Sequence, residues 1–258
     1  MIKRILPYKD LLIVFILREV TIRYRHSLMG ILWAVIQPIA LMALFTFDFT
    51  YVVKIGLSGE YPKPVFFYSA LVPWTFFATS LNQCIPSLIS HHNLITKIYF
   101  PREIIPLSRI ASAMVDFIIA SVLLIPFLFF YKISPTVHTF WVIPLFAILF
   151  LFTVSVSLIL SSLNVYYRDV QLASRFLIQL WFFASPILYS IDSVSMKLKI
   201  FLFLNPMTFI IENMRRCLIE GRGVVPWQFA FVTLLTIVFY LLAYRFFIKT
   251  EKAFSDVI

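Results

Sequence analysis

Five windows of this chain run for more than twenty residues with at most one charged side chain, and that pattern excludes most folds open to 258 residues. The windows are 31–53, with Asp48 as its charge, 65–90 with none, 110–131 with Asp116, and 140–163 and 224–244 with none. A hydrocarbon layer about 30 Å thick is crossed by roughly 20 apolar residues in a helix, so each window is long enough to span it. A further window, 176–191 (FLIQLWFFASPILYSI), is short and contains Pro186, so it crosses only if flanking residues extend it to 172–191. The reading is an all-α membrane protein, one transmembrane domain over 1–258, with six transmembrane helices. Its composition agrees: 61% hydrophobic, 13% charged, with a mean hydropathy of +0.94.

Six crossings put both ends on one side, and Lys and Arg decide which. With both ends inside, the inner segments 1–30, 91–109, 164–175 and 245–258 hold 14 basic residues and the outer ones 8. Divided by segment length the bias nearly vanishes, except around the first span, where it is 6 against 2. Both termini are therefore expected in the cytoplasm, with the chain multi-pass in the cytoplasmic (inner) membrane. The net charge of +10 sits on the flanks of apolar windows, where it meets lipid headgroups, so nucleic acid is not an expected partner. Lys3 and Arg4 before LLIVFIL (11–17) superficially resemble a signal peptide, but the charged REVTIRYRH follows in place of a small-residue cleavage site, and the segment is expected to stay. Cys84 and Cys217 have no paired spacing.

Two segments are helical in pattern without being spans. Residues 1–30 offer only seven consecutive apolar residues before Arg18, Glu19, Arg23 and Arg25, which suits a helix lying along the inner surface with its apolar side down. In 192–223, Asn205-Pro206 reads as a helix start, Met207, Ile210, Ile211, Met214 and Cys217 recur at helical spacing, and Gly221 reads as the stop. Glu212 with Arg215 or Arg216 lies at pairing distance on the opposite face, which predicts an amphipathic helix of about 15 residues dipping into the outer interface.

Catalytic chemistry is hard to assemble from this sequence. With 5 glycines in all, no G-x-x-x-x-G-K-[ST] can be written, so the chain has no P-loop for ATP. There is no H-E-x-x-H, and adjacent residues such as His91 and His92 point about 100° apart on a helix, so no metal or other cofactor is expected in the chain. Transport is favoured over enzyme activity. Asp116 and Asp48 lie toward opposite faces, which argues against a proton or ion relay; Asp116 fits either a contact between helices or an aqueous path. Gln37, Asn82, Gln83 and Gln179 are among the amides within windows. The 29 Phe, 12 Tyr and 5 Trp are mostly lipid-facing or belt residues on this reading. Trp74 and Trp181 lie deeper; Trp33, Phe182 and Tyr189 join them as candidates to face a channel, where rings slide past sugars through weak, undirected contacts, and ordinary packing is the competing reading.

The stretch LITKIYFPREIIPLS (94–108) interrupts the apolar windows. Leu94, Ile95 and Ile98 share a helical face, Tyr99 and Phe100 follow, and Pro101 breaks the ladder and opens the next helix, with Glu103 in its first turn. The result is either a plain connecting loop or a hinged knob whose aromatic tip needs a docking partner.

That stretch resembles the cytoplasmic loop of permease subunits of type-2 ABC exporters, above all those moving lipid-linked polysaccharides such as O-antigens and teichoic acids. RYRHSLMGILWAVIQP (23–38), LNVYYRDV (163–170) and NPMTFIIENMRRCLIEG (205–221) are similar to the same family, in its order and over most of the chain. Tyr167-Arg168-Asp169 keeps the family's core, while the residue before it departs from the common pattern. The resemblance implies a homodimer, a second copy of this chain beside the first, paired with two copies of a separate ABC ATPase subunit that binds MgATP. It implies that Lys97, Tyr99, Phe100, Pro101, Arg102 and Glu103 couple to that subunit, with Arg168 and Asp169 as a second contact. It places Arg18, Arg23, Tyr24 and Arg25 on an interface helix at the substrate entrance, and Glu212, Arg215 and Arg216 in an outer gate within 192–223. The implied cargo is an undecaprenyl-linked polysaccharide drawn from the membrane lipids. A permease for a drug or small lipid shares the coupling loop, and an ion-coupled transporter or a membrane enzyme of lipid-linked sugars is the rival of another class.

Overall fold

A computed structural model of the chain describes residues 1–25, 29–52 and 61–254. Residues 26–28 within the stretch 23–38, residue 53 of the first window with the outer segment to 60, and 255–258 of the last inner segment lie outside the described residues, as do the side chains of Ile2 and Ile200. The described part is helical, with α1 at Lys9–Tyr24, α2 at Trp33–Phe47, α3 at Lys63–Cys84, α4 at His92–Lys97 and α5 at Ile104–Phe130. There follow α6 at Val142–Tyr166, α7 at Asp169–Phe183, α8 at Met196–Phe203, α9 at Pro206–Arg215 and α10 at Pro226–Glu251.

Proline sets several of these starts, because a residue that lacks an N–H loses nothing where no intrahelical acceptor exists. α3, α9 and α10 each carry a proline in their first two positions, behind an extended residue. Pro38, Pro73 and Pro126 lie inside α2, α3 and α5, which apolar helices tolerate when neighbouring groups satisfy the freed carbonyls. Among the described residues, five helical stretches are long and apolar enough to cross a membrane: Gly30–Val52, Lys63–Cys84, Ile104–Phe130, Val137–Tyr166 and Pro226–Glu251. They match the five long apolar windows. α3 is the hub, with 78% of its apolar window buried against 11% for the first stretch and 17% for the last, so α2 and α10 lie at the periphery. α5, α6, α2 and α9 pack around α3, and the buried Tyr68 hydroxyl donates to the Ala120 carbonyl at 2.9 Å, joining α3 to α5.

The window 172–191 does not form one span-length helix. α7 stops at Phe183 after 15 residues, about 22 Å at 1.5 Å per residue, and turns fill Ala184–Tyr189. Pro186 has no N–H to continue the ladder, and the carbonyls of Pro186 and Ile187 are occupied by the Arg215 guanidinium.

The expected helix after Asn205 is present and packs on its neighbours within the bundle. The Asn205 carboxamide oxygen caps the Met207 N–H at 3.0 Å, and α9 runs on through a π-helical turn, Arg216–Glu220, to Gly221. Gly221 has φ +62°, a left-handed conformation that glycine adopts without strain, and a Cβ there would sit 2.9 Å from a Thr136 methyl carbon. Buried residues occur all round α9, Arg215 among them, so the helix dips into the bundle against α3 and α6.

Candidate functional site

Three polar assemblies link elements distant in sequence. The first lies at the end of the bundle where the stretch 94–108 turns. α4 ends at Lys97, Ile98 is extended, and α5 begins only at Ile104, with Glu103 as its N-cap in place of Pro101 as its first residue. The reason is visible in the backbone: the Ile104 N–H donates to the Pro101 carbonyl at 3.1 Å and the Ile105 N–H to the Arg102 carbonyl at 3.2 Å, a tight turn that precedes the helix. Tyr99 is 86% exposed and Phe100 only 5%. The tip is thus a single tyrosine, while Phe100 turns inward with its ring 6.1 Å from that of Phe15 on α1. Lys97 is exposed, Pro101 buried.

Behind the turn the Glu103 carboxylate is fully buried, 3.7 Å from the Arg4 guanidinium, and accepts from the Tyr244 hydroxyl at 3.4 Å. Burial and then the nearby Glu251 push its pKa above the ordinary carboxylate value, against the pull of Arg4. Arg4 donates to both Glu251 oxygens, at 3.1 and 3.4 Å, and the Arg102 N–H donates to Glu251 Oε1 at 3.2 Å. The Arg102 guanidinium also donates to the Glu251 carbonyl. An open groove of about 500 Å³ runs between Tyr99, Arg102, Ile248 and Lys252. Arg168 and Asp169 are exposed at the start of α7, with Asp169 in its first turn, where a carboxylate complements the helix dipole. Just before them, the Tyr166 hydroxyl donates to the Thr250 carbonyl at 3.1 Å. The last turn of α10 therefore holds both candidate coupling loops. From the sequence Arg4 stands out only as a charge ahead of LLIVFIL and Glu251 is not singled out; the one available signal is an acidic residue isolated within the basic run RFFIKTEK (245–252).

The second assembly fastens α1 to α5. Phe15, Glu19 and Arg23 recur every four residues on α1, a spacing that puts them on one face. Glu19, 3% exposed, pairs with Arg109 and has the His91 Nε2 at 3.6 Å. Arg23 and Tyr24 both donate to Asp116, and Arg23 also donates to Gln83 on α3. Asp116 is thus a contact between helices. His91 donates from Nδ1 to the Ser87 carbonyl at 2.9 Å, and burial draws its pKa below the ordinary value, so it is the neutral member of its group. His92 is exposed. Arg18 and Arg25 are exposed beside Leu17, Thr21 and Ile22, and the apolar Ile13, Val14, Leu17 and Ile22 face away from the bundle while its inward face carries Glu19.

The third lies near α9. Arg215 is 3% exposed, pairs with Glu212 at 3.2 Å, donates to the Pro186 carbonyl at 2.9 Å, and stacks 3.6 Å from the Phe66 ring centre. A guanidinium on the polar side of a surface helix would be hydrated; here its terminal nitrogens are met by a carboxylate and carbonyls, while Nε is buried without a hydrogen-bond partner. Glu212 and Arg216 are half-buried. Asn205, besides capping α9, accepts from the Trp181 indole N–H at 2.9 Å and donates to Ser185 Oγ at 3.1 Å.

Among the aromatic candidates, Trp74, Trp181 and Phe182 come together: Trp74 lies 5.6 Å from Phe182, and Trp181 5.1 Å from Phe77, which stacks on Phe152 at 5.7 Å. Within one chain these rings are packed against one another. Trp33 is 52% exposed on α2, and Tyr189 stands apart in the turn after α7. No cluster of three metal-ligating side chains occurs among the described residues.

Long apolar helices around a buried hub, with two loops clasped to the end of the last helix, define a multi-span helical membrane protein. The chain belongs to the ABC-2 type transporter family, which it matches over residues 10–219. It is similar to the O-antigen export system permease protein RfbA of Klebsiella pneumoniae, 33% identical over 213 residues, 82% of this chain and 81% of that one. The protein of the same name from Myxococcus xanthus is 29% identical over 228 residues, 86% of this chain and 85% of that one. The polysialic acid transport protein KpsM of Escherichia coli is 22% identical over 237 residues, 89% and 90% of the two chains.

Proposed function

We propose that this chain is the channel-forming permease of an ATP-driven exporter of undecaprenyl-linked polysaccharide in the inner membrane, acting as a homodimer with two copies of a separate ATPase subunit. The observation that carries it is the similarity, over more than four-fifths of both chains, to permeases named for O-antigen export. The missing P-loop supports an ATPase on another chain.

On this reading α7 and the turns to Ile191 make the fifth of six crossings, and α8 and α9 form the outer gate. The pairing of Arg4 with Glu251 at 3.1 Å supports an even number of crossings, since it puts both ends of the spanning region on one side of the bundle. Exposed Tyr99, Lys97, Arg168 and Asp169 meet the ATPase in the cytoplasm, α1 lies beside the substrate entrance with Arg18 and Arg25 toward headgroup phosphates, and Trp33, Trp74, Trp181, Phe182 and Tyr189 border the channel of the assembled dimer. ATP-driven closure of the ATPases displaces the loop, the loop shifts the helices it is tied to, and the polymer advances.

Co-expression with a cognate P-loop subunit tests the scheme. The wild-type chain is expected to retain that subunit through purification and to restore surface glycan to an export-deficient cell, while Tyr99→Glu retains neither, its fold intact because Tyr99 touches little of its own chain. Export that persists without any ATPase, or with Tyr99→Glu and no bound ATPase, overturns it.

A further inference from the structure

A loop can drive a bundle only through what holds it. The turn that carries Tyr99 is continuous with α5, but its firmest side-chain attachment is to α10. Glu251, 12% exposed, receives the Arg102 backbone N–H and the Arg4 guanidinium at once, and its own carbonyl receives the Arg102 guanidinium. An acceptor on a backbone N–H fixes the chain itself and not merely a rotamer, and charge-assisted bonds of this kind are about twice as strong as neutral ones. One residue earlier, the Thr250 carbonyl receives Tyr166, which precedes Arg168 and Asp169.

We propose that Glu251 is the positioning residue that fastens the Tyr99 loop to the end of α10, so that displacement of the loop enters the bundle through α10 as well as through α5. This rests on the reading that the loop meets an ATPase. The displacement reaches α6 in turn, because α10 lies along α6 for much of its length.

The experiment uses the complete permease–ATPase complex in lipid discs. Both native cysteines are buried, so single spin labels at Leu241→Cys on α10 and Val122→Cys on α5, both exposed positions, report pairwise distances across the dimer without and with ATP and vanadate. In the otherwise wild-type complex both distances shift on trapping. With Glu251→Ala, which removes the acceptor of the Arg102 N–H, the α10 shift is reduced by half or more, the α5 shift remains, ATPase binding is unchanged, and Glu251→Gln, whose amide oxygen can still accept that N–H, restores part of the α10 shift. An α10 shift undiminished by Glu251→Ala, or one that is missing from the otherwise wild-type complex, overturns the proposal. Should Glu251→Ala not assemble, Arg102→Ala, which removes the guanidinium bond from the loop to the Glu251 carbonyl, is expected to reduce the α10 shift while the α5 shift remains, and an unchanged α10 shift overturns the proposal equally. ATPase binding by Tyr99→Glu is the separate control: if it persists, docking at the loop fails whatever Glu251 does.

Discussion

The Glu19–Arg109 pair allows a quantitative test of how α1 is held. Truncating one partner of a buried ion pair strands the other charge, at about 3–5 kcal/mol when neither can reach water. The two partners differ in that respect, since the Glu19 side chain is 2% exposed and that of Arg109 25%. Arg109→Ala leaves a carboxylate with no hydration and only the neutral His91 beside it, so it is expected to cost about 3–4 kcal/mol; Glu19→Ala leaves a guanidinium that water partly reaches, for about 2 kcal/mol. The double alanine variant loses the pair without stranding either charge and is expected to cost about 3 kcal/mol, a coupling of about 2–3 kcal/mol. Glu19→Leu with Arg109→Met, which keeps the volume, should come within about 1 kcal/mol of wild type. Equilibrium unfolding in mixed micelles at neutral pH, followed by tryptophan fluorescence, measures all four. Costs that add to within about 0.5 kcal/mol, or Arg109→Ala at under about 1 kcal/mol, would refute the argument, because the pair would then be a hydrated surface contact.

Other expectations concern the loop and the caps. Phe100→Ala removes a ring packed on Phe15 and is expected to lower stability by about 3–4 kcal/mol in the same assay, whereas Tyr99→Ala is nearly neutral. Glu103 keeps its proton in the fold to higher pH than in the unfolded chain, so the stability it contributes is full below about pH 4.3 and falls as pH rises toward its raised value; Glu103→Gln should flatten that decline in thermal unfolding midpoints measured from about pH 4 to 8. Gly221→Ala places a Cβ at positive φ and against Thr136, and is expected to cost about 1–3 kcal/mol, part of it recovered by pairing with Thr136→Ser.

The spans were legible because a run of apolar residues needs no partner to be recognised, and the ends of the helix after Asn205 were legible because a cap acts within a few residues of itself. Direction was not legible. Nothing local distinguishes Tyr99 from Phe100; the partner that draws Phe100 inward is Phe15, far back on α1. Helical spacing put Arg215 on a polar face, yet the turns after Phe183 supply carbonyls that let it be buried, and those turns in turn cut short the expected fifth span. The clasp at Glu251 joins residues 247 apart, and no periodicity reaches that far.

The order of charges on α1 and α5 has a directional effect. Glu19 meets Arg109 and Arg23 meets Asp116, so sign alternates along each helix. A slip of α1 by one helical turn toward the start of α5 would set Arg23 beside Arg109, like against like, with Glu19 drawn past its partner and left bare. The two helices therefore behave as a pawl and its tooth: they can separate or seat, but gliding between neighbouring registers is penalised, and whatever moves α5 must carry α1 along or let it go.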